Sequence, residues 1–189
     1  MITIQEIHGE FSRRLSSLGR VVIAGGAVRD TLMGRTPKDW DVFVLQGGEF
    51  NFGTGKALAE ASLADLPVAD PVVEWHQSEP FLASSVRYEQ QEVQIMLSPE
   101  ASVAALVGTF DWNVSLFAFD GNDYFKGEQI DNIVPGKSLR LQADRFPLSS
   151  LRRGFRFSER FKMKLENADV LRLCEKIVAD GKAKPQGSR

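Results

Sequence analysis

Two aspartates lie two residues apart, at Asp39 and Asp41, immediately before the apolar run at positions 42–45. The run predicts a buried strand, and alternate side chains of a strand point to the same face. Neighbouring carboxylates repel each other unless a cation neutralises them. The pair therefore predicts a site for a divalent cation such as Mg²⁺, whose preferred ligands are oxygens. An exposed turn that carries Asp-x-Asp is the alternative.

A glycine pair, Gly25 and Gly26, separates a short apolar run at 21–24 from a segment at 27–33 with the composition of a short helix. Glycine lets the backbone approach a ligand closely, and a helix N-terminus offers amide groups to an anion. The order strand, glycine pair, helix is typical of a phosphate-binding turn. A tight turn without a ligand can have the same sequence.

The two patterns belong to one segment, because positions 25–44 read GGAVRDTLMGRTPKDWDVFV. This segment resembles the signature GG-x-VRD-x-LLGR-x-PKD-x-D of the polymerase β-like nucleotidyltransferase superfamily, specifically the head domain of class II tRNA CCA-adding enzymes and bacterial poly(A) polymerases. Looser similarity to later parts of the family extends the resemblance over about residues 20–165. The later similar segments are 92–97, 111–120, 130–131 and 151–161.

The resemblance implies an α+β fold, in which a mixed β-sheet flanked by helices forms a nucleotidyltransferase head and a short helical neck follows. We expect the head at residues 1–140, and a basic, neck-like helical segment with a frayed tail at 141–189. The implied activity is metal-dependent transfer of a nucleoside monophosphate from an NTP, either ATP or CTP, to an acceptor hydroxyl. An RNA 3′ end is the expected acceptor, and pyrophosphate is the expected product.

The resemblance also implies roles for individual residues. Asp39 and Asp41 would be catalytic and hold the metal, with two Mg²⁺ ions expected. Glu92 is expected as a third catalytic carboxylate, unless it faces solvent. Asp30 is expected to orient Arg29 rather than to bind metal. The implied nucleotide-binding residues are Gly25, Gly26, Arg29, Lys38, Asp111, Arg153 and Arg156.

The sequence departs from the family where the base of the nucleotide is selected. In the family an E-D-x-x-R motif pairs with the base of the incoming CTP or ATP, and the corresponding positions here are Phe146, Pro147 and Ser150. Strong selectivity requires hydrogen-bonding groups that the wrong base leaves unpaired. The side chains of Phe146 and Pro147 offer none, so we expect weak or differently built discrimination between CTP and ATP.

Charge is distributed unevenly along the 189 residues. Positions 1–136 carry a net charge of −10, whereas positions 137–189 carry +8. An acidic part joined to a basic segment is typical of a carboxylate-rich site beside a surface for an anionic partner.

The basic segment predicts a helix with an arginine stripe. At about 100° per residue, four arginines fall within one arc, and Leu148, Leu151 and Phe155 form a neighbouring apolar face. The stripe suits RNA or the phosphates of a nucleotide, with Arg152 and Arg160 as the expected RNA or phosphate contacts. Ion pairing with the acidic part of the chain is the alternative. The four are Arg152, Arg153, Arg156 and Arg160.

Local patterns predict the elements that position these residues. Thr3 and Glu6 have the spacing of a capping box, which predicts a first helix. Ser98 followed by Pro99 predicts the start of a helix that closes at Gly108. Further strands are predicted at 71–76, 85–89, 91–96 and 113–120, the last followed by a turn at 121–122.

Several classes of protein are disfavoured. The chain has no apolar run of about 18 residues and begins with a segment too polar for a signal peptide, so we expect a soluble, cytoplasmic protein. Cys174 has no partner cysteine, and His8 and His76 have no ligand-spaced partners, which argues against zinc or histidine chemistry. Two alternatives stay open: a nucleotidyltransferase that modifies a protein or small molecule, and a non-catalytic module that binds a nucleotide or RNA. The sequence predicts no particular oligomeric state.

Overall fold

Helix α1, Ile4–Leu15, begins at the predicted capping box. Thr3 Oγ1 accepts a hydrogen bond from the Glu6 backbone N at 3.2 Å, and Glu6 Oε2 accepts one from the Thr3 N at 2.7 Å. The prediction of a first helix is therefore confirmed. The buried residues of α1 recur every three or four positions: Ile4, Ile7, Phe11 and Leu15.

The structure, a computed structural model, describes residues 2–48, 61–66, 68–70 and 82–183. The strand predicted at 71–76 and the frayed tail at 184–189 lie outside the described residues. Among the described residues, no helix has the length and apolar character needed to cross a bilayer.

Two compact units make up the chain, which we call the sheet unit and the helical unit. The sheet unit consists of Met1–Gly108 and Ser115–Gly127, and the helical unit of Thr109–Val114 and Glu128–Arg189. The chain thus passes from one unit to the other more than once. The division into a head and a neck at residue 140 stays a prediction.

The sheet unit contains a mixed sheet of seven strands in the order β3-β4-β5-β2-β1-β6-β7. Strands β2 and β5 are parallel, and every other neighbouring pair is antiparallel. This arrangement confirms the predicted α+β fold with a mixed sheet. The strands are β1 Arg20–Ala24, β2 Asp39–Leu45, β3 Val68–Asp70, β4 Leu82–Tyr88, β5 Gln91–Ser98, β6 Phe117–Phe119 and β7 Tyr124–Lys126.

The sheet unit also contains two short helices, α2 at Gly26–Leu32 and α3 at Val103–Gly108. The predicted start of α3 at Ser98 is wrong, although its end at Gly108 is confirmed. Ser98 is the last residue of β5. The Ser102 Oγ accepts a hydrogen bond from the Ala105 backbone N at 3.1 Å, so the helix is capped four residues later than the sequence suggests.

The strand predicted at 113–120 is shorter than expected. Asn113–Ser115 form a turn of 3₁₀ helix, and only Phe117–Phe119 pair in the sheet. The side chain of Asn113 is buried and hydrogen-bonds Glu128 and the Arg140 backbone N, which holds residue 113 away from a strand conformation.

The helical unit is built on α4, Pro147–Phe161, and α5, Asn167–Ala183, with a parallel two-stranded ladder of β8, Ser138–Leu139, and β9, Lys164–Leu165. A short 3₁₀ turn, Ile130–Asn132, precedes the ladder. Cys174, on α5, is exposed.

The predicted apolar face of α4 is not the buried one. Leu148 is 49% exposed and Phe155 is 56% exposed. The buried residues of α4 are Pro147, Ser150, Gly154 and Phe161. A Cβ added at Gly154 would lie 2.5 Å from Trp112 Cζ2, and Trp112 Nε1 donates to the Ser150 carbonyl at 2.8 Å. The Trp112 ring leaves no room for a side chain at position 154, so a glycine faces it.

Candidate active site

The two aspartates and Glu92 lie at one end of the sheet, where β2 and β5 both begin. In the parallel pairing of these strands, Asp39 is opposite Glu92 and Asp41 is opposite Gln94. Residues directly opposite each other, and residues two apart in one strand, share a face of the sheet. The three carboxylates therefore lie on one face, which we call the carboxylate face (Asp39, Asp41 and Glu92). The alternation inferred from the sequence is confirmed for the aspartates.

The electrostatic environment of Asp41 disfavours its negative charge. Burial, followed by the charges of Asp39 and Glu92, raises the pKa of Asp41 to about 7. Glu92 is exposed to solvent, yet its charge is close enough to Asp41 to contribute to that shift. Like charges held together in this way are typical of functional sites.

Compensating groups for the aspartates are lacking within the described residues. Neither Asp39 nor Asp41 accepts a side-chain hydrogen bond or forms an ion pair there. Glu92 Oε1 is oriented by Ser85 Oγ and Gln94 Nε2, each at 3.3 Å. No group of three or more His, Cys, Asp or Glu side chains in the described ranges is arranged closely enough to hold a metal ion. The described residues thus provide the aspartate pair, with Glu92 opposite Asp39 in the strand pairing, and the role of Glu92 as a third ligand stays a prediction.

Gly25 brings backbone close to this pair. Its φ of 80° and ψ of −139° lie in a region that L side chains rarely adopt, and a Cβ built there would be 3.5 Å from Asp41 Oδ2. The Gly25 amide donates to the Phe117 carbonyl at 2.7 Å, so this amide already has a partner. Glycine at position 25 therefore leaves space next to the Asp41 carboxylate. It does not offer its backbone N–H to a ligand, because this N–H is already hydrogen-bonded.

The cations predicted beside the glycines differ in their surroundings. Arg29 is only 2% exposed, and its Nε donates to Asp30 Oδ1 at 2.9 Å, so Asp30 orients Arg29 as expected. Lys38 is exposed and immediately precedes the first aspartate in the chain. Roles for Arg29 and Lys38 in phosphate binding stay predictions.

Arg87 was not identified from the sequence, although the fold places it at the edge of the carboxylate face. In the antiparallel pairing of β4 with β5, Arg87 is directly opposite Glu92, and Ser85 is opposite Gln94. The signal was hidden because Glu89 and Gln90, which form the connecting turn, have φ values of 48° and 64°. Such turns usually carry asparagine or glycine, so the sequence did not indicate a two-residue hairpin that would fix the register.

The nucleotide-binding residues predicted downstream lie in the helical unit. Arg153 Nε donates to Asp111 Oδ2 at 2.6 Å, so Arg153 is ion-paired with a residue of the acidic part of the chain. Arg152 and Arg156 are exposed. Arg160 is also exposed, with its guanidinium carbon 5.2 Å from the centroid of the Phe161 ring.

The positions that correspond to the base-selecting motif are also in the helical unit. Phe146 is the residue before the first turn of α4, and Pro147 is its first residue and is buried. Ser150 is 1% exposed, and its Oγ has no hydrogen-bond partner among the described residues. These positions start and pack the helix.

Residues 21–63 match the protein family described as the poly A polymerase head domain. The matched segment contains the glycine pair and both aspartates. No curated protein sequence matches this chain significantly.

Solved structures similar to this chain include a tRNA-processing enzyme in an apo form, at 21% identity and a TM-score of 0.61, covering 98% of this chain and 50% of that one. The Thermotoga maritima CCA-adding enzyme complexed with tRNA is 20% identical, with a TM-score of 0.59 and coverage of 94% and 42%. A CCA-adding enzyme in complex with CTP is 19% identical, with a TM-score of 0.59 and coverage of 94% and 41%.

These matches confirm the resemblance found in the sequence, and the chain has the fold of a nucleotidyltransferase head. At these identities the structural likeness defines the fold. The chain spans at most half the length of the solved structures named above.

Proposed function

We propose that this protein is a nucleotidyltransferase of the polymerase β-like, class II type, which transfers a nucleoside monophosphate from an NTP to an acceptor hydroxyl. The observation that carries the proposal is the pair Asp39 and Asp41 on one face, next to the space left by Gly25. Both features lie within the segment that matches the poly A polymerase head domain.

The carboxylate face fits a divalent cation by the chemistry of its donors. Mg²⁺ is usually held by one or two carboxylates together with substrate phosphates. Asp39 and Asp41 would hold the ions, whereas Glu92 is exposed to solvent and would contribute its charge rather than a ligand atom. When bound, Mg²⁺ supplies Lewis-acid activation of the phosphates and neutralises the charge of the departing pyrophosphate.

The chain's own residues would place the triphosphate on one side of the aspartates. Gly25 lies next to Asp41 and leaves room for a phosphate there, and Lys38 is an exposed cation beside Asp39. In the transfer step the acceptor oxygen bonds to the α-phosphorus, and the bond from this phosphorus to the α–β bridging oxygen breaks. Pyrophosphate leaves with the electron pair, and the hydroxyl proton passes to water.

RNA is the acceptor that we favour. One solved structure of the same fold is a CCA-adding enzyme complexed with tRNA. The C-terminal part of this chain is basic, and Arg152, Arg156 and Arg160 are exposed on α4. A cationic surface suits a polyanion better than a neutral small molecule.

Labelling separates the possible acceptors. The protein is incubated with each α-³²P-labelled NTP, Mg²⁺, total RNA and a cell lysate, and the products are resolved as RNA, protein and small molecules. We expect label in RNA. Label in a protein or a small molecule would support the transferase activity and show that the acceptor is not RNA. The absence of a labelled product in every fraction would overturn the proposed activity.

A further inference from the structure

The carboxylate face has two flanks, one on each side of strands β2 and β5. On one side lies β1, which ends in Ala24 opposite Asp41 and leads into Gly25. On the other side lies β4, where Arg87 is opposite Glu92. Since neighbouring strands are about 4.8 Å apart, Arg87 lies roughly 10 Å, two strand spacings, from Asp39 along the row.

Arg87 is an exposed cation that the described residues leave without an ion pair. A cross-strand Arg–Glu pair would be the ordinary arrangement, because the two residues are directly opposite each other. Here Glu92 Oε1 is occupied by Ser85 Oγ and Gln94 Nε2 instead. The guanidinium therefore stands at the rim of an acidic face with its donors available to an external anion.

The direction in which the acceptor attacks the nucleotide indicates which anion Arg87 would bind. In phosphoryl and nucleotidyl transfer the attacking and leaving oxygens are roughly in line with the phosphorus. If the triphosphate lies on the Gly25 flank, pyrophosphate leaves on that side and the attacking hydroxyl enters from the opposite flank. The opposite flank is the one that carries Arg87.

We propose that Arg87 binds a backbone phosphate of the RNA acceptor, close to its 3′ hydroxyl, on the flank of the carboxylate face away from Gly25. This inference rests on the proposed transferase activity for the direction of attack. Arg87 acts as a binding residue for the acceptor, and it forms no bond to the transferred group.

Direct RNA binding tests the proposal without turnover. A fluorescein-labelled single-stranded RNA of 12 nucleotides with a free 3′ hydroxyl is titrated with the full chain, without NTP or Mg²⁺, at several salt concentrations. We expect Arg87→Ala to weaken binding about three- to tenfold and to reduce the salt slope by roughly 0.7, the value for one lost phosphate contact on a single strand. Arg87→Glu should weaken binding further, and Arg87→Lys should retain part of it.

Lys126 provides the matched control, because it is an exposed cation on β7, the edge strand of the same sheet that is farther from β4. Lys126→Ala should bind the RNA as the wild type does. Thermal melting of each variant verifies the fold. Substitution of Arg87 should not affect the fold, because this arginine is exposed and has no ion pair among the described residues. Equal RNA affinity and salt slope in Arg87→Ala and the wild type would overturn the proposal, and so would absence of RNA binding by the wild type.

Kinetics then separate this inference from the transferase itself. In an active enzyme, Arg87→Ala should raise the KM for RNA and leave the KM for the NTP unchanged. A raised KM for the NTP alone would place Arg87 on the nucleotide and overturn the assignment. If the wild type transfers no nucleotide while Arg87→Ala still binds RNA more weakly, the transferase fails and the RNA contact stands.

Discussion

Glu128 in the helical unit and Asp41 in the sheet unit have opposite electrostatic environments. Glu128 is 6% exposed, and burial alone would disfavour its charge. Hydrogen bonds and the charge of Arg140 outweigh burial and lower the pKa of Glu128 to about 2. Its hydrogen-bond donors are Asn132 Nδ2 at 2.8 Å, Asn113 Nδ2 at 2.9 Å, the Gln129 backbone N at 2.9 Å and Arg140.

Asp41 has no such donors among the described residues, and its charged neighbours are Asp39 and Glu92. The fold thus stabilises one ionised carboxylate with four donors, and it gathers three others that no cation contacts in the part of the chain that the structure describes. A carboxylate that stabilises the fold is paired, whereas a cluster left uncompensated indicates a site that takes its cation from outside. The difference supports the proposed functional role of the carboxylate face and a structural role for Glu128.

The largest expected effect is on transfer. Asp39→Ala and Asp41→Ala should each lower the rate by roughly 10²–10³-fold or more, because groups that stabilise transition-state charge commonly contribute that much. Folding should survive, since each substitution removes repulsion between like charges. Single-turnover assays with labelled NTP measure the rate, and thermal melting measures stability.

Asp123→Ala is the control, because Asp123 is an exposed carboxylate in the same unit with no side-chain partner among the described residues. It should leave the rate unchanged. Substantial activity in Asp39→Ala would show that the aspartate pair does not take part in the reaction. The uncompensated charges of the carboxylate face would then not indicate a functional site.

Glu128→Gln should lower the stability of the protein and leave the transfer rate unchanged. Its cost at neutral pH should be about 3 kcal/mol of unfolding free energy, because Arg140 loses its partner and the new amide N–H points at other donors. Urea unfolding measures this cost, with the exposed Glu175→Gln in the same unit as control. An unchanged free energy would mean that the donors around Glu128 do not stabilise the helical unit.

Acid should weaken the wild type more than Glu128→Gln. The folded pKa of Glu128 is about 2, below its ordinary value of 4.5. The stability contributed by this carboxylate is therefore present above pH 4.5 and is lost as the pH falls toward 2. Urea unfolding between about pH 5 and pH 3 should give a steeper loss for the wild type, and parallel curves would contradict this account.

The smallest expected effect is on the selectivity for the base of the NTP. With Phe146 and Pro147 at the positions of the base-reading groups, competition between CTP and ATP should give a preference below about 100-fold, the scale that apolar pockets rarely exceed. A larger preference would reveal hydrogen-bonding groups elsewhere that read the base.

Local patterns predicted the elements around the aspartates well. The capping box at Thr3, the turn at Gly25 and the alternation of Asp39 with Asp41 all depend on residues close in sequence. The errors arose where distant residues decide the conformation. Asn113 leaves the predicted strand because it bonds Glu128 and Arg140.

Contacts between residues distant in sequence also account for two features that the sequence did not predict, the buried face of α4 and the position of Arg87. Gly154 is buried because it faces Trp112, which lies far away in sequence, while Leu148 and Phe155 on the same helix are exposed. Arg87 lies opposite Glu92 because of the register of a hairpin. The turn residues of this hairpin, Glu89 and Gln90, are unusual for that turn. Periodicity within one segment contains neither fact.

Binding of Mn²⁺, a paramagnetic substitute for Mg²⁺, shows whether Asp39 and Asp41 hold a divalent cation. Electron paramagnetic resonance of free Mn²⁺, recorded with a non-hydrolysable NTP analogue, measures uptake by the wild type, by the double variant Asp39→Asn/Asp41→Asn and by Glu128→Gln. We expect uptake by the wild type and by Glu128→Gln, and a loss of roughly tenfold or more in Mn²⁺ affinity for the double variant. Equal Mn²⁺ affinity in the double variant and the wild type would contradict it.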